Sequence, residues 1–95
     1  MKSLAGQEED ILLCEKERGM DGCLYRYRLR MHADGHTRRY VLHVQFSDGD
    51  GYTTEREETL PLTADGKARE LFCRLAGALV TPIDLPYVLE DLLTV

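Results

Sequence analysis

The stretch DGCLYRYRLRMHADGHTRRYVLHVQF, Asp21 to Phe46, alternates apolar and polar residues through two runs separated by an Asp-Gly doublet. In the first run Cys23, Tyr25, Tyr27, Leu29 and Met31 fall on one side, and Arg26, Arg28, Arg30 and His32 on the other; only Leu24 breaks the polar row. In the second, Tyr40, Leu42, Val44 and Phe46 share a side opposite Arg39, Val41, His43 and Gln45. Successive side chains of a strand point to opposite faces, so this period of two predicts two strands with one common buried face. Asp34-Gly35 supplies the turn between them, because glycine accepts positive φ and aspartate bonds its own backbone.

The same doublet recurs at 21–22, 48–49, 50–51 and 65–66. Upstream of Asp21, DILLCEKE reads as a shorter, less regular strand before a turn over Arg18–Gly22. Downstream of the second doublet pair, YTTEREETL alternates weakly and is heavily charged, which suits a protected edge strand. Together these runs predict a four-stranded antiparallel meander over about residues 9–61.

After Thr63 the period changes. Ala68, Leu71, Phe72, Leu75, Ala76 and Leu79 recur at helical spacing, with Lys67, Glu70 and Arg74 on the far side. Thr63 or Asp65 is the expected cap, Glu70 and Arg74 an i,i+4 pair, and Thr81-Pro82 the stop. A second, short helix is expected to start from an Asp84 cap with Pro86 in its first turn, burying Leu85, Val88, Leu89 and Leu92. The expected fold is therefore α+β: a four-stranded antiparallel meander followed by two C-terminal helices packed on one face of the sheet. Its expected core comprises Tyr25, Tyr27, Leu29, Leu42, Val44, Phe46, Leu71, Phe72, Leu75, Leu79, Val88, Leu89 and Leu92. Residues 1–8 read as a disordered tail and 9–95 as one domain, since 95 residues support a single modest core.

Composition narrows the function classes. At 43% apolar and 31% charged the chain is ordinary globular material, which excludes a wholly disordered protein. Its net charge of −5 opposes non-specific attraction to nucleic acid or an anionic membrane. Cys14, Cys23 and Cys73 are odd in number, widely spaced and form no C-x-x-C pair. With no signal-peptide-like or membrane-spanning run, they point to a reduced, cytoplasmic setting without membrane attachment.

Ser47-Asp48-Gly49-Asp50-Gly51 resembles the start of a calcium loop, but an EF-hand needs an oxygen ligand at position five, glycine at six and glutamate at twelve. Counting from Asp48 those places hold Tyr52, Thr53 and Thr59, so the segment reads as a turn. His32, His36 and His43 have no nearby cysteine to complete a zinc set, and no nucleophile elbow, P-loop or dinucleotide fingerprint occurs. No catalytic residue, metal or cofactor is expected, and the chain is not expected to be an enzyme.

Two features point to surfaces. Arg26, Arg28 and Arg30 form a row on one sheet face at spacings near about 7 Å, which could follow a phosphate backbone. The aromatic side chains fall on the other face, leaving bases nothing to stack on. A charged outer face neutralised by Glu15 and Glu17 is the preferred reading. Glu90 and Asp91 stand in the last turn of a helix, where carboxylates oppose the macrodipole by roughly 0.3–1 kcal/mol; they read either as a solvated polar face or as partners of an arginine on the sheet or on another chain.

The stretch DGCLYRYRL and the closing TPIDLPYVLEDLL together resemble a family of uncharacterised short proteins from clostridial Firmicutes. The resemblance covers about residues 20–93 and rests on a Y-x-Y-x-L strand and on Thr81, Pro82, Leu85, Val88, Glu90 and Asp91. RRYVLHVQF departs from the glycine-containing strand of that family. The family has no established activity, so the resemblance implies a bacterial protein and no catalytic residues. The expected function is a non-enzymatic adaptor or regulatory module. It would bind a partner protein, a second copy of the chain being one candidate, through a surface that includes Arg26, Arg28, Arg30, Tyr87, Glu90 and Asp91. The alternative is a nucleic-acid-binding module that uses the three arginines.

Overall fold

A computed structural model describes residues 8–93. The order is β1 (Glu8–Met20), β2 (Cys23–Asp34), β3 (Thr37–Ser47), β4 (Thr53–Leu60), α1 (Asp65–Gly77) and α2 (Leu85–Leu93). The four strands form one antiparallel sheet in the order β1-β2-β3-β4, with the two helices C-terminal to it, as the alternation and the change of period imply. The first seven residues of the expected tail lie outside the described residues, whereas Glu8 stands in β1 opposite Asp34.

β1 is longer than its sequence suggests and runs to Met20, so the first turn is not Arg18–Gly22 but the two residues Asp21-Gly22. Both have positive φ, 53° and 82°, as a tight hairpin with the twist of its flanking strands requires. The register shifts between Leu12 and Cys14, leaving Leu13 as a bulge. Before it, odd-numbered residues share the face of Met31; after it, even-numbered residues share the face of Leu29 and Tyr27. The bulge thereby moves Glu15 and Glu17 onto the outer face and Cys14 onto the inner one. It also leaves Leu13 partly buried against the core.

The inner face carries the core. Tyr27, Leu29, Tyr40, Leu42 and Val44 of β2 and β3 are completely buried beneath Ala68, Leu71, Phe72, Leu75 and Ala76 of α1 and Leu85 and Leu89 of α2. α1 packs on β1 and β2. Tyr25, Met31, Val88 and Leu92 sit at the margin, only partly buried. Phe46 stacks edge-on against Tyr25 at 5.1 Å and Tyr52 at 6.4 Å between ring centres. The inner side of the edge strand β4 stays open except at Leu60. Arg56 and Glu58 point there and pair at 2.6 Å, so this edge is charged, which discourages further strand addition.

The helix ends differ from expectation. Ala64 occupies the N-cap of α1 without a side-chain hydrogen bond, so neither Thr63 nor Asp65 caps it. Asp65 instead pairs with Arg69 at 2.7 Å, and this i,i+4 pair stands where Glu70–Arg74 was expected. α1 stops at Gly77. Val80 donates its N–H to the Leu75 carbonyl and Leu79 to the Ala76 carbonyl, each at 3.3 Å, which is the paired closure of a Schellman motif. Leu79 therefore takes the left-handed position, φ 55°, and is only half-buried instead of extending the apolar stripe of the helix.

A closed turn precedes α2, in which the Thr81 hydroxyl donates to Asp84 Oδ2 at 3.1 Å. The Leu85 N–H bonds the Thr81 carbonyl at 3.0 Å and the Asp84 N–H bonds the Thr81 hydroxyl at 3.3 Å. Thr81 thus closes the turn that leads into α2, with Pro82 buried inside it, and α2 begins at Leu85, directly after Asp84 as expected.

A side chain at φ 55° is strained, and the strain is worst for a β-branched residue. Leu79→Gly should therefore be more stable than Leu79→Val by about 1–2 kcal/mol, measured by urea denaturation at equal m-value. Equal stability of the two variants would contradict the Schellman assignment.

Candidate functional site

The register places the expected surface residues on two sides of the molecule. Arg26, Arg28 and Arg30 project from the outer sheet face, directly opposite Glu17, Glu15 and Leu12 of β1. Tyr87, Glu90 and Asp91 lie on the exposed side of α2, whose buried residues join the core on the inner face. No single flat partner can therefore touch both sets.

On the outer face acidic and basic strands alternate. Arg26 pairs with Glu17 at 2.7 Å and Arg28 with Glu15 at 2.7 Å, so both glutamates that the sequence offers as counter-charges do meet arginines. Among the described residues Arg30 reaches only Asp10, diagonally, at 3.8 Å. The third strand is mostly uncharged, and β4 returns acid: His43 bonds Glu55 at 2.7 Å, while Glu57 stands directly across from His43. Exposed pairs of this kind stabilise the fold by about 0–1 kcal/mol each. Their larger consequence is for the surface potential, because a basic row between two acidic rows presents no continuous track to a polyanion.

The loop that resembled a calcium site is organised by one carboxylate. Asp48 Oδ1 accepts the N–H groups of Asp50 at 2.8 Å and Tyr52 at 3.0 Å, and the Asp48 N–H bonds the Tyr52 carbonyl at 2.9 Å. Asp48 closes the β3–β4 connection, and Gly51, φ 94°, takes the conformation that a side chain would strain. Asp48→Ala should cost about 0.5–2 kcal/mol through two lost bonds to backbone donors, and Asp50→Ala less than about 0.5 kcal/mol. Thermal melts of the two variants separate these roles; equal losses would show that Asp48 has no special part in the turn.

Cys14 lies beside the bulge. Burial raises its thiol pKa, and the neighbouring Arg69 charge opposes that rise only in part. Arg69 Nη1 approaches Cys14 Sγ at 3.8 Å and the Leu13 carbonyl at 3.5 Å, which brings a donor to the irregular part of β1. A partly buried thiol with a raised pKa is a poor nucleophile at neutral pH.

Ile83 escaped the sequence reading, whereas Tyr87 belongs to the expected surface. Ile83 and Tyr87 are 64% and 70% exposed, the most open large apolar side chains on the described surface. Ile83 lies in the turn before α2 and Tyr87 in its first turn, where the Tyr87 N–H bonds the Asp84 carbonyl at 3.1 Å. α2 starts at Leu85, so Ile83 does lie in the preceding turn, where no apolar periodicity marks it in the sequence. Among the described residues neither Glu90 nor Asp91 takes part in an ion pair. No described helix is long and apolar enough to cross a membrane. No protein-family model matches this chain, and no curated protein or solved structure matches it either.

Proposed function

We propose that this chain is a non-enzymatic protein-interaction module of the bacterial cytoplasm, of the adaptor or regulatory kind. The proposal includes kinship with the short clostridial proteins that its second strand and closing helix resemble. The observation that carries it is the exposed side of α2. Tyr87 stands exposed beside Glu90 and Asp91, with Ile83 exposed in the turn before it, on a helix whose other side is anchored in the core. An aromatic anchor with an aliphatic group and an acidic rim is the composition of a protein contact, and it suits a partner with apolar and basic character. The arginine row supports the same choice, because two of its three members already hold carboxylates at hydrogen-bonding distance.

Affinity capture with the parent chain and with an Ile83→Ser/Tyr87→Ser double variant tests this reading, with self-association read by light scattering over a concentration series. A partner, or a second copy, is expected to be held by the parent and lost by the double variant. A partner set unaffected by the double change would count against the α2 surface. Nucleic acid retained by the parent, released steeply by salt and lost in an Arg26→Ser/Arg28→Ser/Arg30→Ser variant would establish the nucleic-acid alternative instead.

A further inference from the structure

The outer face has one gap in its pattern of paired charges, at the end that holds Arg30 and Arg39. Arg26 and Arg28 have glutamates directly opposite on β1, but Arg30 faces Leu12 beyond the Leu13 bulge, where β1 has no glutamate to offer. Among the described residues its one acidic partner is Asp10 at 3.8 Å, beyond hydrogen-bonding range, and Asp10 is itself 58% exposed. Arg39 stands across from His32 on one side. On the other side β4 ends at Leu60, opposite Tyr40, so no β4 residue lies across from Arg39. Among the described residues Arg39 forms no ion pair. Val41, between these arginines on the outer face, is too short to fill the space, and a depression of about 280 Å³ opens above it. Arg30, Arg39 and His32 line one side; Thr59 and Glu57 line the other.

We propose that this depression binds a single oxyanion, a phosphate or carboxylate group carried by a small molecule, held between the Arg30 and Arg39 guanidinium groups over Val41. Guanidinium forks match the oxygens of such a group two at a time, and a charge-assisted hydrogen bond is the strong kind. His32 and the Thr59 hydroxyl supply further polar contacts around it. Glu57 and Asp10 set the size of the ligand: they bound the positive region on both sides, so a polymer of phosphates would meet carboxylates where a lone group does not. This site is independent of the α2 surface and lies on the opposite side of the sheet.

Thermal melts against inorganic phosphate and against malonate, with ionic strength held constant by chloride, test the site and distinguish the two anion classes. A saturable rise in Tm is expected for at least one of them. The apparent dissociation constant should increase about tenfold or more in both Arg39→Ala and Arg30→Ala, and stay unchanged in Arg26→Ala. All three positions are on the surface and none supports the core, so the variants remain folded for the comparison. A rise that is linear in concentration and identical in Arg39→Ala is general solute exclusion and would overturn the proposal. So would an equal loss of binding in Arg26→Ala, or no rise with either anion.

Discussion

Leu85→Ala should lower the stability of the chain by about 2–5 kcal/mol, the cost of deleting a large aliphatic side chain that the fold cannot collapse around. Leu85 is completely buried at the first turn of α2, and Leu89, one turn on, is 7% exposed in the same cluster. A nine-residue helix is too short to persist alone in water, so the order of α2 comes from what it docks against. Domains of this size have only about 5–10 kcal/mol of stability, so the variant should be close to its unfolding threshold at physiological temperature. Tyr87→Ala, two residues away and 70% exposed, should change stability by less than about 1 kcal/mol. Urea melts at two protein concentrations decide the matter. A neutral Leu85→Ala would mean that α2 is not docked, and a cost that grows on dilution would mean that it is docked on another chain.

The second large effect is expected at Tyr27. Its hydroxyl donates to the Val80 carbonyl at 2.8 Å, deep inside the molecule, and so ties the middle of the sheet to the segment between α1 and α2. Tyr27→Phe leaves that carbonyl buried without this donor and should cost about 1–3 kcal/mol at neutral pH. Tyr40 is the internal control. It is equally buried, but its hydroxyl has no partner among the described residues, so Tyr40→Phe should fall within about 1 kcal/mol of the parent.

Burial pushes the Tyr27 hydroxyl from 10.0 up to about 12, with Tyr25 adding a smaller rise and Arg18 opposing it. Between those values the unfolded chain has released the proton and the native chain still holds it, so stability must fall as pH rises. This contribution is complete below pH 10.0 and lost by about pH 12, a decline of about 2–3 kcal/mol. The difference between the parent and Tyr27→Phe isolates it, because the other tyrosines and lysines titrate in both. Parallel pH profiles for the two proteins would show that Tyr27 is not buried as described.

The sheet was legible because β2 and β3 alternate with only Leu24 and Val41 out of pattern and each hairpin carries glycine where positive φ is needed. β1 was harder to read for a definite reason. Strict alternation from Ile11 puts Leu13, Glu15 and Glu17 on one face, an unfavourable mixture, and only the bulge at Leu13 reverses the parity and sends the glutamates to the arginines. Bulges are set by pairing with a neighbour, which a single strand's sequence does not display. The helix boundaries failed in a similar way. Leu79 keeps the helical spacing of the apolar stripe, yet Schellman closure and the Tyr27–Val80 bond end α1 at Gly77.

The candidate site was legible in its parts and not in their arrangement. The arginine row and its partners Glu15 and Glu17 follow from alternation and hairpin pairing. That Arg39 and Arg30 share an under-neutralised corner depends on where β4 stops and on which β1 residue faces Arg30, both consequences of register.

The claim on which the rest depends is that α2 is docked in the same cooperative core as the sheet, which fixes its outer side as a rigid surface. Amide hydrogen exchange measures this directly. The N–H groups of Val88 and Leu89 should be protected to within about tenfold of those of Leu29 and Leu42 in the central strands, as members of one cooperative unit. Exchange at Val88 and Leu89 several orders of magnitude faster, while Leu29 and Leu42 stay protected, would show that α2 opens independently and contradict the account.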